Sequence, residues 1–168
     1  MAMTLVATTT IGSGGAASIE FTGIAGTGKD LLILLSNRLD AGQFTGNVQF
    51  NSDTGSNYSQ RRLFTNGNGV FSDSGSTTRI QFIGMGKNDA TANTFASDAI
   101  YVSNYTSSVA KSVSIDGVSE NNSADAFAYA LGIAAGRWTG TSAITSVTLS
   151  ADGSNFVQHT TASLYIIS

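Results

Sequence analysis

The strongest constraint in this chain is an alternation with a period of two, clearest between Asp98 and Asn122. Ile100, Val102 and Asn104 alternate with Tyr101, Ser103 and Tyr105, and Val113 and Ile115 alternate with Ser112, Ser114 and Asp116. That period places successive side chains on opposite faces of a strand. The small polar stretch Thr106 to Ala110 between the runs suits a hairpin connection. The expected element is an antiparallel hairpin with one apolar face and one Ser/Tyr/Thr face, running out into the polar turn Glu120-Asn121-Asn122.

The same pattern recurs along the chain. Leu5 to Ile11 is Thr-rich and β-branched. Ala17 to Ile24 sets Ile19 and Phe21 against Glu20 and Thr22. Leu31 to Asn37 is apolar on both faces, so it reads as a central strand or as one covered by a partner subunit. Gln43 to Phe50 alternates less cleanly, with Phe44 out of phase with Val48 and Phe50, and Arg79 to Met85 aligns Ile80 with Phe82. Asn51 to Asn57, Asn66 to Gly69 and Asp73 to Ser76 are rich in turn formers. Ala143 to Ser150 and Ala162 to Ile167 complete the set.

Ala124 to Trp138 is ambiguous, because alanine is the best helix former. However, Phe127, Tyr129, Leu131 and Ile133 alternate with Ala128, Ala130, Gly132 and Ala134, and Gly132 and Gly136 weaken a helix. A strand is expected, with a face of small residues that would let a second sheet or subunit approach closely. The whole 1–168 chain therefore reads as one all-β domain, an antiparallel β-sandwich of jelly-roll type with about 8–10 strands.

Several pieces also carry a resemblance. The hairpin NYTSS…KSVS…ENN, the stretch Phe50 to Leu63 (FNSDTGSNYSQRRL), the TANTF piece at Thr91 to Phe95, and Gly136 to Ile167 resemble a domain of tailed-bacteriophage virion proteins of the tail-fibre and capsid-decoration type. The match spans most of the chain from about Ile19 onward and contains no catalytic motif. It implies a β-sandwich or jelly-roll module and a non-enzymatic structural role on the exterior of a virion assembled in the host cytoplasm. Capsid decoration (a cement protein) or a short tail appendage are the implied places, with other virion proteins as partners. The alternative it implies is a carbohydrate- or host-receptor-binding module of the tail-fibre tip type, recognising a host surface glycan.

Charge narrows the partners. Only 11% of the residues are charged, and the net charge is −3. The three Lys and five Arg are dispersed apart from Arg61-Arg62, so the basic stripe that replaces condensed counterions on nucleic acid is missing. No apolar run approaches the roughly 20 residues of a membrane helix, and the N-terminus does not read as a secretory signal. Neither nucleic acid nor membrane is expected as a partner. Without Cys or Pro, the chain has no thiol chemistry and no prolyl isomerisation step.

Four stretches invite chemical readings. Gly23 to Asp30 (GIAGTGKD) nearly spells a phosphate-binding loop, but Asp30 stands where a hydroxyl should hold Mg²⁺, and a strand follows instead of a helix. Asn51 to Asn57 alternates oxygen-bearing side chains as calcium loops do, but Arg62 occupies the position of the bidentate Glu. His159, the only histidine, reads as an ordinary strand residue, and no nucleophile elbow is present. No cofactor, metal or catalytic residue is expected. Finally, Tyr58, Tyr101, Tyr105 and Trp138, with Arg61, could form a sugar-stacking surface, against the simpler reading that Trp138 closes the core.

Self-association is expected through Leu32 and Leu34 of the doubly apolar run and through the small residues Ala128 and Ala130. Low charge removes the repulsion that would keep subunits apart. A homo-oligomer is expected, and the resemblance implies a trimer.

Overall fold

The computed structural model describes residues 2–65, 68–120 and 130–168. Among them are twelve strands: β1 (Met3–Thr10), β2 (Ser18–Thr22), β3 (Asp30–Asn37), β4 (Thr45–Phe50), β5 (Tyr58–Thr65), β6 (Val70–Thr77), β7 (Ile80–Ile83), β8 (Ala96–Val102), β9 (Lys111–Ser119), β10 (Ala130–Trp138), β11 (Ser146–Ala151) and β12 (Thr161–Ile167). Eight form one sheet, ordered β1-β12-β3-β8-β9-β10-β5-β6, and four form a second, ordered β2-β11-β4-β7. Every pairing is antiparallel.

The two sheets make a sandwich with an unequal span. On the larger sheet Leu31, Ile33, Leu35, Ile100, Val102, Val113, Ile115 and Leu164 point inward. Ile19, Phe21, Val48, Phe50, Ile80, Phe82, Val147 and Leu149 meet them from the smaller one. Each fully buried side chain of this kind stabilises by about 1.5–3 kcal/mol, which is why the period-two residues set the sheet register. The run Leu31 to Leu35 lies in a central strand between β12 and β8.

Four strands cannot cover eight. One row on the inner face shows where the cover ends. Gly136, Gln60 and Gly75 lie side by side on β10, β5 and β6. A Cβ on Gly136 would sit 2.7 Å from Ile80 of β7, whereas one on Gly75 would meet nothing within 4 Å. The smaller sheet therefore stops short of β6, which is exposed almost throughout.

The strand count exceeds the eight to ten expected, and β6 is one reason. It occupies Asp73 to Ser76, which the sequence presents as a turn. An edge strand in contact with solvent on both faces needs no apolar alternation, so Ser, Asp and Gly do not exclude it. His159 departs from expectation as well. It is an exposed turn residue with φ 74° ahead of β12, not a strand residue.

Two polar devices brace the connections. The Arg38 guanidinium donates to the carbonyls of Thr91 at 2.7 Å, Thr94 at 3.1 Å, Asn88 at 2.8 Å and Ala90 at 2.8 Å, and so fixes the segment before β8. Lys111, fully buried, donates to Ser107 O at 2.8 Å and Val109 O at 2.6 Å, closing the β8–β9 turn. Burial lowers its pKa.

Asp98 interrupts the apolar face of β8. Its Oδ2 accepts from Asn37 Nδ2, and its Oδ1 lies over Gly84 and Gly117 with no donor among the described residues. Burial pushes its pKa well above the ordinary carboxylate value, and the nearby Asp116 charge adds to the rise.

Candidate interaction face

Strand β10 determines the character of the exposed sheet surface. Its alternation is real, but the small residues face inward. Ala130 and Ala134 are buried, and Gly132 packs so that a Cβ would lie 3.2 Å from Ile83. Only small side chains leave room for β7 to approach this closely. Leu131 and Ile133 are thereby turned outward, 49% and 60% exposed. Ala130 is therefore not an outward contact residue, and Ala128 lies outside the described residues.

The outward large residues gather at one end of the face. Val118 of β9 lies opposite Leu131, Ile133 lies opposite Leu63 of β5, and Val70 of β6 lies opposite Thr65. Together they line an apolar depression of about 370 Å3. A further exposed ring, Phe71, stacks on Phe64 at 5.6 Å on the other side of the sheet, where the smaller sheet gives no cover. Leu32 and Leu34 share the outer face farther along, on β3, with Leu34 41% exposed. Between these groups run Ala99 and Asp116, in a cross-strand row from Leu34 to Leu63.

The other end of the same strands is polar. Arg61 and Arg137, with Ser59, Ser74, Ser76 and Ala135, border a shallow groove of about 380 Å3.

The five residues considered for sugar stacking do not assemble. Tyr58, Tyr105 and Trp138 are core residues. Phe50, Tyr58 and Trp138 pack ring against ring at 5.7 to 6.4 Å. The Tyr58 hydroxyl donates to Asp53 O at 3.0 Å and accepts from Phe50 N at 3.0 Å, and burial raises its pKa to about 12. The Tyr105 hydroxyl donates to Ala25 O at 2.5 Å, tying the glycine-rich loop to the core. Only Arg61 and Tyr101 reach the surface. They share one row of the outer face, separated by Ser114 and Ala135. At roughly 4.8 Å per strand, three strand spacings keep them about 14 Å apart. The Tyr101 hydroxyl is also occupied, donating to Asp30 Oδ2 at 2.6 Å, a bond that raises its pKa.

The two ligand-like loops have structural tasks. Gly23 to Lys29 leads directly into β3, so no helix N-terminus faces it, and buried Asp30 accepts from Asn104 N at 2.8 Å. In the Asn51 to Asn57 loop, Asp53 spends its carboxylate on Trp138 Nε1 at 2.7 Å, Gly55 N at 2.9 Å and Asn57 Nδ2 at 3.0 Å. Among the described residues no group of three or more His, Cys, Asp or Glu is placed to hold a metal ion.

Sequence reasoning missed Leu63, Val70, Val118 and Arg137. A signal was present in the large–small alternation of β10, which requires one face to be crowded and the other open to bulk. No family model matches the chain, and no curated protein or solved structure matches it at a significant level.

Proposed function

We propose that this chain is a non-enzymatic structural module that assembles with further copies of itself through the outer face of its eight-stranded sheet. The setting is the one its sequence resemblance implies, the exterior of a tailed-phage virion, as capsid decoration or a short tail appendage. The observation that carries the self-assembly is the cluster Leu63, Val70, Val118, Leu131 and Ile133, contiguous and exposed. Exposed apolar residues that cluster in this way are the kind of surface that interaction sites use, and covering it stabilises by about 25 cal/mol per Å2. A second copy is the occupant that matches, because the neighbouring β6 is an exposed edge strand, open to pairing with an identical strand. The low charge of the chain adds no repulsion to such a contact. Three copies is the number implied by the resemblance.

The test is light scattering on the isolated protein at micromolar concentration, beside the Leu131→Glu/Ile133→Glu variant. The wild type is expected as a defined oligomer and the variant as a monomer with the same far-UV spectrum. A wild type that stays monomeric in solution and makes no self-contact on virions overturns the assembly reading. A dimer overturns the symmetry alone. Labelled antibody on purified virions tests the setting.

A further inference from the structure

We infer that the polar end of the outer sheet face is a binding site for an anionic saccharide, with Arg61 and Arg137 as a paired clamp for its carboxylate or sulfate group. The two arginines are exposed and lie on adjacent strands. Arg137 faces Ser59 and Arg61 faces Ala135, so the arginines are diagonal neighbours, roughly 7–8 Å apart at this register. Two cations placed side by side repel each other, and a structural pair of this kind is ordinarily neutralised. Here it is not. The other ion pairs join Arg62 to Asp73, Arg79 to Asp152 and Lys87 to Asp89, and among the described residues no carboxylate lies within ion-pair distance of Arg61 or Arg137. Asp73, across the β5–β6 pairing beside Arg61, points to the opposite face and is held bidentately by Arg62. In a chain with a net charge of −3, two of the five arginines thus lie adjacent over one groove with no ionic partner among the described residues.

The groove floor identifies the rest of the ligand. Ala135 and three hydroxyl-bearing residues, Ser59, Ser74 and Ser76, line the groove together with the two arginines. Small side chains leave the groove wide and shallow, while the hydroxyls both donate and accept. That surface fits a ligand with many hydroxyls and one planar or tetrahedral anion, which arginine can hold bidentately. The lining of this groove itself carries no large apolar side chain; the apolar hollow beside Arg61 belongs to Leu63 and Ile133. Two cations also fall far short of the basic stripe that nucleic acid requires. The site adjoins the apolar end of the face: Arg61 and Ala135 also border a hollow lined by Leu63 and Ile133, while Leu131 at the far end lies six residues from Arg137 on one strand, about 20 Å.

The experiment is an amide NMR titration of the full chain with trigalacturonate, a sulfated disaccharide, neutral galactotriose and tetraglutamate as separate probes. Saturable shifts at Ser59, Ser74, Gly75 and Gly136 are expected with at least one anionic saccharide, and the stronger arm distinguishes carboxylate from sulfate. Arg61→Ala/Arg137→Ala is expected to weaken that binding at least tenfold without altering the thermal unfolding midpoint or the oligomer mass. Arg137→Lys keeps the charge but loses the fork, and an intermediate affinity is expected. No saturable shift with either anionic saccharide overturns the inference. So does equal binding of galactotriose, preferential binding of tetraglutamate, or binding that survives the double substitution.

Discussion

The indole Nε1 of Trp138, at the end of β10, donates to Asp53 Oδ2 at 2.7 Å across 85 residues of sequence. The bond joins the larger sheet to the loop that leaves β4 of the smaller one. Among the interactions on Asp53 it does most to hold the carboxyl below its ordinary pKa. A carboxylate with a depressed folded pKa adds stability above its unfolded value of 3.8 and loses it as the pH falls through the folded value. Asp53→Ala strands the indole donor, with an expected loss of about 1 kcal/mol at neutral pH. Asp53→Asn keeps an acceptor and should cost less. Thermal melts at pH 7 and pH 3 check both, because the gap between wild type and Asp53→Ala should narrow in acid.

Asp98 has the opposite sign. Its folded pKa is raised, so above the usual carboxylate range the unfolded chain gives up this proton more readily than the folded one. Stability is therefore drained as the pH rises. Asp98→Asn removes the titration, so the variant should gain on the wild type between pH 4 and pH 8. Chemical denaturation at the two pH values measures the change, and a constant difference between the proteins would refute it.

Gly136 and Gly75 form a matched pair, each one strand from Gln60 on the inner face. Gly136→Ala drives a Cβ to 2.7 Å from Ile80 and should cost about 1–3 kcal/mol. Gly75→Ala enters open space and should be neutral or slightly stabilising. For a chain of this size each kcal/mol shifts the melting temperature by roughly 2–4 °C, so calorimetry separates the two.

Arg38 ties four carbonyls with one guanidinium. Arg38→Ala should release residues 88–94 to limited proteolysis well before global unfolding. Arg38→Lys should restore little protection, since an ammonium lacks the planar fork. Equal cleavage rates in all three proteins would count against this brace.

What the sequence reveals depends on which neighbour decides each residue's place. The β8–β9 hairpin is legible because Ile100, Val102, Val113 and Ile115 all belong to one core face. The β10 strand is legible as a strand, but its facing is not. Whether Leu131 or Ala130 points inward is decided by how closely β7 approaches, a tertiary fact absent from local alternation. The β6 strand is invisible because solvent on both faces imposes no pattern. Tyr58 and Tyr105 pass for surface aromatics because their hydroxyls find partners only in the folded chain, at Asp53, Phe50 and Ala25, whereas Trp138 closes the core as the simpler of its two readings expects. The arginine pair is hidden for a similar reason, since Arg61 and Arg137 become neighbours only through the β5–β10 register.

The pairing of β1 with β12 sets Met3 beside Ile167, and beyond it Ala2 and Ser168 exchange backbone hydrogen bonds at 3.0 Å in each direction. The chain is thus close to a ring. A cargo fused at either end would emerge at the same edge of the larger sheet, and a short tether from Ser168 to Ala2 would permit circular permutation with new ends opened in an exposed turn. The same seam joins the most distant parts of the sequence, whose loop-closure cost is the largest in the molecule. It should therefore zip last and fray first, leaving the other eleven strands, with β12 still paired to β3, as the unit that holds when the edge opens.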